Sequence, residues 1–258
     1  MVMQIDIVTL FPEYFEQSVQ QSMLGRALKE GLVRINLVRL RDFAEDKHRT
    51  TDDTPFGGGG GMVLKPEPLD KCLQSLGWDS HPRDRERIIL TSAAGRLFNQ
   101  DRAVEYSLLD RLTIICGHYL GVDERILELY PIDEISIGDY TLSGGEPAAA
   151  TIVDAVTRLI PGVLGNFESA MRDSFMDEIL GAPVYTRPAS YRGLEVPSEL
   201  LSGHHEQIRQ YQRLAGLRKC VANRPDLLSQ ASLTREEKQL VQSLQNENDN
   251  ISTERKLS

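Results

Sequence analysis

Between Glu134 and Glu146 the chain sets two glycine breaks, Gly138 and Gly144-Gly145, around a six-residue polar and aromatic loop. Residues without a Cβ let backbone donors and acceptors approach a ligand unobstructed. A plain connector between a strand and a helix needs only one such hinge, so this stretch is a candidate ligand cradle. A second candidate is Asp42 to Gly61, where five consecutive glycines follow His48-Arg49 and Asp52-Asp53. A run of that kind holds neither helix nor strand, and a loop of this length inside a compact domain is commonly functional or disordered. It reads as a segment that orders over a ligand. A third candidate lies between Val184 and Lys219, where six basic residues face three acidic ones in a chain of net charge −9. Its arginines Arg209, Arg213 and Arg218 with Lys219 fall near Tyr185, Tyr191 and Tyr211. Phosphate contacts supply much of nucleic-acid affinity, so this is a candidate RNA-contacting face.

Several other chemistries are excluded. No G-x-G-x-x-G opens a helix after the first strand, and no phosphate-loop G-x-x-x-x-G-K-[ST] occurs. No Cys/His set has metal spacing, no G-x-S-x-G elbow appears, and His204-His205 reads as a helix N-terminus. The overall negative charge rules out a protein that coats nucleic acid through net charge. Cys72, Cys116 and Cys220 are odd in number and far apart, which fits a reduced cytoplasmic protein. No apolar run reaches the ~20 residues of a membrane span, so no membrane partner is expected.

The elements that must position these residues follow from periodicity. Gln4–Leu10 reads as a buried first strand, followed by helical patterning to about Glu30 that is interrupted at Gly25 and stopped by Gly31. Further strands are expected at Val33–Leu40, Arg87–Leu90, Arg111–Cys116 and Glu134–Ile137. Helices are expected at Glu67–Leu76, Gln100–Leu109, Asp123–Leu129 and Ala148–Ile160. This alternation predicts an α/β fold with a parallel sheet. Three strands then end in glycine-bearing loops, Thr91–Gly95, Gly117–Gly121 and Gly138–Gly145, on the sheet edge where ligands bind. Beyond a linker at 161–173, Ser174 and Asp177 suggest a capped helix, Ser202 caps another, and Thr234 with Glu237 forms a capping box opening a last helix. The polar tail, residues 247–258, reads as disordered.

Taken in order, several stretches resemble the bacterial tRNA (guanine-N1)-methyltransferases, the TrmD family of the SPOUT superfamily. They are His48-Arg49 with Asp52 to Gly59, Gly61-Met62-Val63, Ile115-Cys116-Gly117, Asp123-Glu124-Arg125, Ile135 to Glu146, Asp154-Ala155-Val156, Arg158 to Gly165, Asp173-Ser174-Phe175, Tyr185 to Pro188 and Leu200 to Gly203. The resemblance covers roughly residues 1–245. It implies a SPOUT-type parallel sheet with a deep C-terminal trefoil knot in residues 1–160, the linker at 161–173, and a small helical tRNA-binding domain at 174–246. It implies a homodimer with the active site at the interface and S-adenosylmethionine as methyl donor. The reaction implied is methylation of N1 of guanine 37 in tRNAs with guanine at 36. Asp173 matches the general base and Arg158 the cation beside guanine O6. Gly117, Ile137, Gly138, Asp139, Tyr140, Thr141 and Leu142 match cofactor-binding positions. Asp53, Gly58, Gly59, Ser174, Arg187 and Arg209 are the expected substrate contacts. His118-Tyr119-Leu120-Gly121 stands where the family reads Arg-Tyr-Glu-Gly, so a carboxylate tied to the metal-dependent step is missing. Magnesium is therefore carried over without a ligand. The rival readings are a homologue that binds tRNA without methylating it and a SPOUT enzyme acting on another RNA nucleotide.

Overall fold

The computed structural model describes residues 2–81, 83–164, 173–176 and 178–257, except for the side chains of Ser18 and residues 247–257. The chain divides into two compact units, Met1–Gly165 and Asn166–Ser258.

The first unit is built on a five-stranded, all-parallel sheet. Its strands are β1 (Met3–Thr9), β2 (Val33–Arg39), β5 (Glu86–Leu97), β6 (Arg111–Cys116) and β7 (Ile132–Ser136), in the order β2-β1-β6-β5-β7. The short strands β3 (Asp52–Asp53) and β4 (Val63–Leu64) pair apart from it. Helices cover both faces, as parallel strands buried on two sides require. Ile5, Ile7, Ile89, Leu112 and Ile114 meet α2 (Ser22–Lys29), α4 (Gln100–Ser107) and α6 (Glu146–Thr157) on one face. Val8, Ile88, Leu90 and Ile115 meet α3 (Pro66–Ser75) and α5 (Arg125–Leu129) on the other.

Two readings of the first unit are corrected. The helical stretch after β1 breaks at residues 17–21, between α1 (Glu13–Glu16) and α2, and not at Gly25. Gly25 is a buried residue inside α2, and a Cβ there would lie 2.1 Å from the Gln20 carbonyl oxygen. The glycine records a close approach, which composition alone does not separate from a break. Likewise Thr91–Gly95 does not end its strand. β5 runs to Leu97, and both Thr91 and Arg96 oppose Ile135, so residues 92–95 form an excursion within the pairing. Gly95 turns it back, where a Cβ would meet the Ile135 amide nitrogen at 2.4 Å.

Away from that excursion the fully buried Asp6 collects donors from its own strand and from both neighbouring strands. Its carboxylate accepts from Arg111 Nε at 2.7 Å, Asn36 Nδ2 at 2.9 Å, Gln4 Nε2 at 3.1 Å and Thr113 Oγ1 at 3.4 Å. Trp78 Nε1 donates to Thr113 Oγ1, and the Arg111 guanidinium lies over the Trp78 ring at 5.3 Å. A buried charge is tolerated when it is paired and fully hydrogen-bonded.

The second unit contains the hairpin β8–β9 (Ser190–Tyr191 and Leu194–Glu195) and helices α7 (Ser198–Leu201), α8 (His205–Asn223) and α9 (Arg235–Leu257). Ile179, Leu217, Cys220, Val221 and Val241 form its core. His204-His205 lies at the start of α8, and the cap is His204, not Ser202. Ser202 Oγ instead accepts from the His204 amide. The Thr234–Glu237 capping box forms in both directions, at 3.2 and 2.8 Å. Two further readings are corrected. Residues 173–176 form a turn, not the start of a helix, and Ser174 Oγ accepts from Gly181 N at 2.9 Å. Asp177, the other half of that expected cap, and residues 165–172 of the expected linker lie outside the described residues. Helix α9 runs to Leu257, past the point where the polar composition suggests disorder.

Asp6→Ala leaves the Arg111 guanidinium, only 15% exposed, without its carboxylate. The expected loss is about 3–5 kcal/mol of unfolding free energy, measured by urea denaturation.

Candidate active site

The three glycine-bearing segments meet at the carboxyl edge of β5, β6 and β7, where they enclose a cavity of about 400 Å³. Residues 90–94 come from β5 and its excursion, Gly117–Val122 from the loop after β6, and Glu134–Gly138 with Tyr140–Gly145 from β7 and the loop beyond it. That volume lies within the range of small-molecule sites.

The walls are held together where backbone meets backbone. Gly145 N donates to Gly117 O at 2.7 Å, and His118 bridges Gly144 in antiparallel fashion. Gly117 N donates to Thr91 Oγ1 at 3.0 Å, while that hydroxyl points to Ile115 O at 3.3 Å. A Cβ on Gly145 would lie 1.9 Å from Thr91 Oγ1 and 2.7 Å from Gly117 N, and one on Gly117 would lie 2.4 Å from Thr91 O. Glycine is needed here for contact, whatever its dihedral angles.

Beneath this crossing lies Glu146, in the first turn of α6 and only 5% exposed. Its Oε1 accepts from Thr9 Oγ1 at 2.7 Å, and Thr9 Oγ1 accepts from Phe11 N at 2.9 Å. A carboxylate at a helix N-terminus is favoured by the dipole, and this one ties β1 to the cavity floor. Burial and the Glu146 charge push the Cys116 thiol well above its ordinary value, so it stays protonated and is no nucleophile. At the far lip, Ser136 Oγ closes the turn at Gly138, donating to Gly138 O at 3.1 Å and accepting from Gly138 N at 3.2 Å. Gly138 has φ +151°, and a Cβ there would strike the Tyr140 ring at 2.4 Å.

The expected ligand-contacting residues are distributed unevenly. Gly117, Ile137, Gly138, Tyr140, Thr141 and Leu142 line the cavity; Asp139 is exposed outside it. Arg158 is the C-cap of α6, at the opposite end of that helix from the cavity, and a twelve-residue helix spans roughly 18 Å. Asp53 sits on β3, its Oδ1 accepting from Thr54 N at 2.7 Å, and Gly58 and Gly59 have positive φ with open space around them. The stems of that glycine loop are pinned to the cavity wall: Leu120 N donates to Met62 O, Leu64 N to Gly121 O, and Asp123 N to Leu64 O, each at 3.0 Å. In the second unit Asp173 and Ser174 share the turn, Arg187 precedes Pro188, and Arg209 pairs with Glu206 at 2.6 Å. Arg213, expected on an RNA-facing stripe, instead pairs with Glu237 at 2.7 Å. Sequence reasoning missed Thr9; its only signal is a hydroxyl at the carboxyl end of a parallel strand. Among the described residues no group of three His, Cys, Asp or Glu side chains could hold a metal ion, and no helix is long and apolar enough to cross a membrane.

The model of the family described as tRNA (Guanine-1)-methyltransferase TrmD matches residues 3–230. Among curated relatives, a tRNA (guanine-N(1)-)-methyltransferase of Geotalea uraniireducens is 50% identical over 243 residues, 94% of this chain and 97% of the relative. Proteins with the same name from Dictyoglomus turgidum and Brevibacillus brevis are 49% and 50% identical, each over 95% of this chain, covering 98% and 99% of the relative.

Gly145→Ala is expected to destabilise the chain by about 1–3 kcal/mol through overpacking. Thr91→Ala on that background recovers part of the loss, because the Oγ1 clash is gone. A double-mutant cycle in urea measures the coupling. Iodoacetamide at pH 8 is expected to leave Cys116 unmodified in the folded protein and to label it after unfolding, read by mass spectrometry.

Proposed function

The chain belongs to the tRNA (guanine-1)-methyltransferase TrmD family, and on that premise we propose that it methylates N1 of guanine 37 in tRNAs with guanine at 36. The methyl donor is S-adenosylmethionine, held in the three-loop cavity. The single observation that carries this reading is that cavity, with six of the seven expected cofactor positions on its lining. Its size suits the donor, and Gly117, Ile137 and Gly138 offer backbone groups for an adenosine. The carboxylates Glu124 and Glu134 on the lining favour a cationic sulfonium. When bound, the donor supplies an electrophilic methyl group.

Guanine N1 carries a proton and is a poor nucleophile until that proton leaves. Asp173 takes it as general base, and Arg158 stabilises the negative charge that develops on O6. N1 then forms its bond to the methyl carbon as the carbon–sulfur bond breaks. The separation of Arg158 from the cavity along α6 supports a homodimer, in which one chain's cavity works with the partner chain's arginine. We read the crossing at Gly117 and Gly145 as part of the family's trefoil knot, and residues 174–246 as the module that docks tRNA. Asp53, Gly58 and Gly59 then close over the target base, while Ser174, Arg187 and Arg209 contact the RNA. The enzyme works in the cytoplasm, where its substrate is.

Asp173→Ala should lower methyl transfer to such a tRNA by about 10²–10⁴-fold and leave donor binding, measured by calorimetry, unchanged. Transfer at the wild-type rate would remove Asp173 from the mechanism. Mixed dimers of a Gly145→Ala chain with an Arg158→Ala chain should regain part of the activity that each homodimer lacks. No recovery would place the arginine and the cavity of one site in the same chain.

A further inference from the structure

The hairpin β8–β9 carries a combination that folding alone does not ask for. Tyr191 and Leu194 oppose each other in the pairing, so both side chains stand on one face of the ribbon. They are 60% and 76% exposed. The two-residue connection is Arg192-Gly193, with φ +53° and +81°, the signature of a type I′ turn. That turn favours asparagine, aspartate or glycine at its first position, and an arginine there sits in a left-handed conformation that a residue with a Cβ rarely adopts. The Arg192 guanidinium lies over the Tyr191 ring at 5.4 Å. Arg192 has no ion pair among the described residues, unlike Arg209, Arg213 and Arg224 of the same unit, which have Glu206, Glu237 and Asp226.

An exposed aromatic ring backed by an unneutralised cation, at the tip of a rigid two-residue turn, suits a flat π-system joined to an anion. We propose that this tip is a stacking platform for an unpaired nucleobase of the tRNA, with Tyr191 against the base and Arg192 reaching the adjoining phosphate. The proposal rests on the tRNA-methyltransferase reading and gives Tyr191, which lies on the candidate RNA-contacting face, a specific stacking role shared with Arg192. Base stacking on an aromatic side chain tolerates any base, so the hairpin contributes affinity and register while the choice of nucleotide is made elsewhere. The strained turn residue is then retained for binding, since an asparagine would fold the hairpin more easily.

The test uses full-length protein and unmodified tRNA transcript, with binding read by filter retention without methyl donor. Tyr191→Ala is expected to weaken binding about tenfold or more, and Tyr191→Phe to bind like wild type because the ring is kept. Arg192→Asn separates binding from folding. It should keep or raise the melting temperature while weakening tRNA binding several-fold and lowering its salt dependence. In steady-state methylation these losses appear in KM for tRNA, with donor affinity unchanged. Wild-type affinity in both Tyr191→Ala and Arg192→Asn overturns the proposal. So does a change of oligomeric state on Tyr191→Ala at unchanged tRNA affinity, which would make the tip a contact between copies of the chain. Wild-type protein that binds tRNA through this hairpin but transfers no methyl group would fail the enzymatic reading alone.

Discussion

One crossing of main chain governs the first unit. Gly145 N reaches Gly117 O at 2.7 Å while Gly117 N reaches the Thr91 hydroxyl at 3.0 Å. Three segments from three different strands touch at that point, with room for no side chain but a threonine hydroxyl. Any Cβ on either glycine would force the segments apart, and the cavity they enclose would lose its wall. Glu146 and Thr9 support the crossing from below through a buried charge-assisted hydrogen bond, a contact stronger than a neutral pair and costly to leave half-made. At this crossing the wall of the site is thus held by backbone groups that bond one another or the Thr91 hydroxyl.

Two parts of the sheet are specialised. Away from the cavity Asp6, Asn36, Arg111, Thr113 and Trp78 lock β2, β1 and β6 with side-chain hydrogen bonds. At the cavity edge, residues 92–95 and 138–145 leave the regular pairing and open about 400 Å³. A parallel sheet gives this asymmetry naturally, because all its strands end on the same side. The polar lock fixes register where nothing has to bind, which frees the carboxyl edge for irregular backbone.

Much of this architecture was legible in the sequence. Strands such as Arg111–Cys116 read as short apolar runs, and the glycine-bearing loops were visible as candidates because their spacing exceeded what a connector needs. What periodicity could not resolve was the purpose of individual glycines. Gly25 reads as an interruption and Gly95 as part of a loop beyond a strand, yet both mark places where one backbone lies against another. Thr9 was invisible for a related reason: its value depends on Glu146, 137 residues later. The helical face of the second unit misled in another way, since the Arg213 charge answers Glu237 inside the unit. Only tertiary context separates a buried partner from a free cation.

Helix α6 begins at the cavity floor and ends at Arg158. Its buried residues Ala149, Ile152, Val153 and Val156 lock it against the sheet, so it behaves as a spacer of fixed length and phase. Lengthening it by one residue would advance the guanidinium by about 1.5 Å and swing it by roughly 100°, while the cavity stayed where it was. A single residue inserted between Gly145 and Arg158 would therefore alter the alignment of two distant groups without touching either.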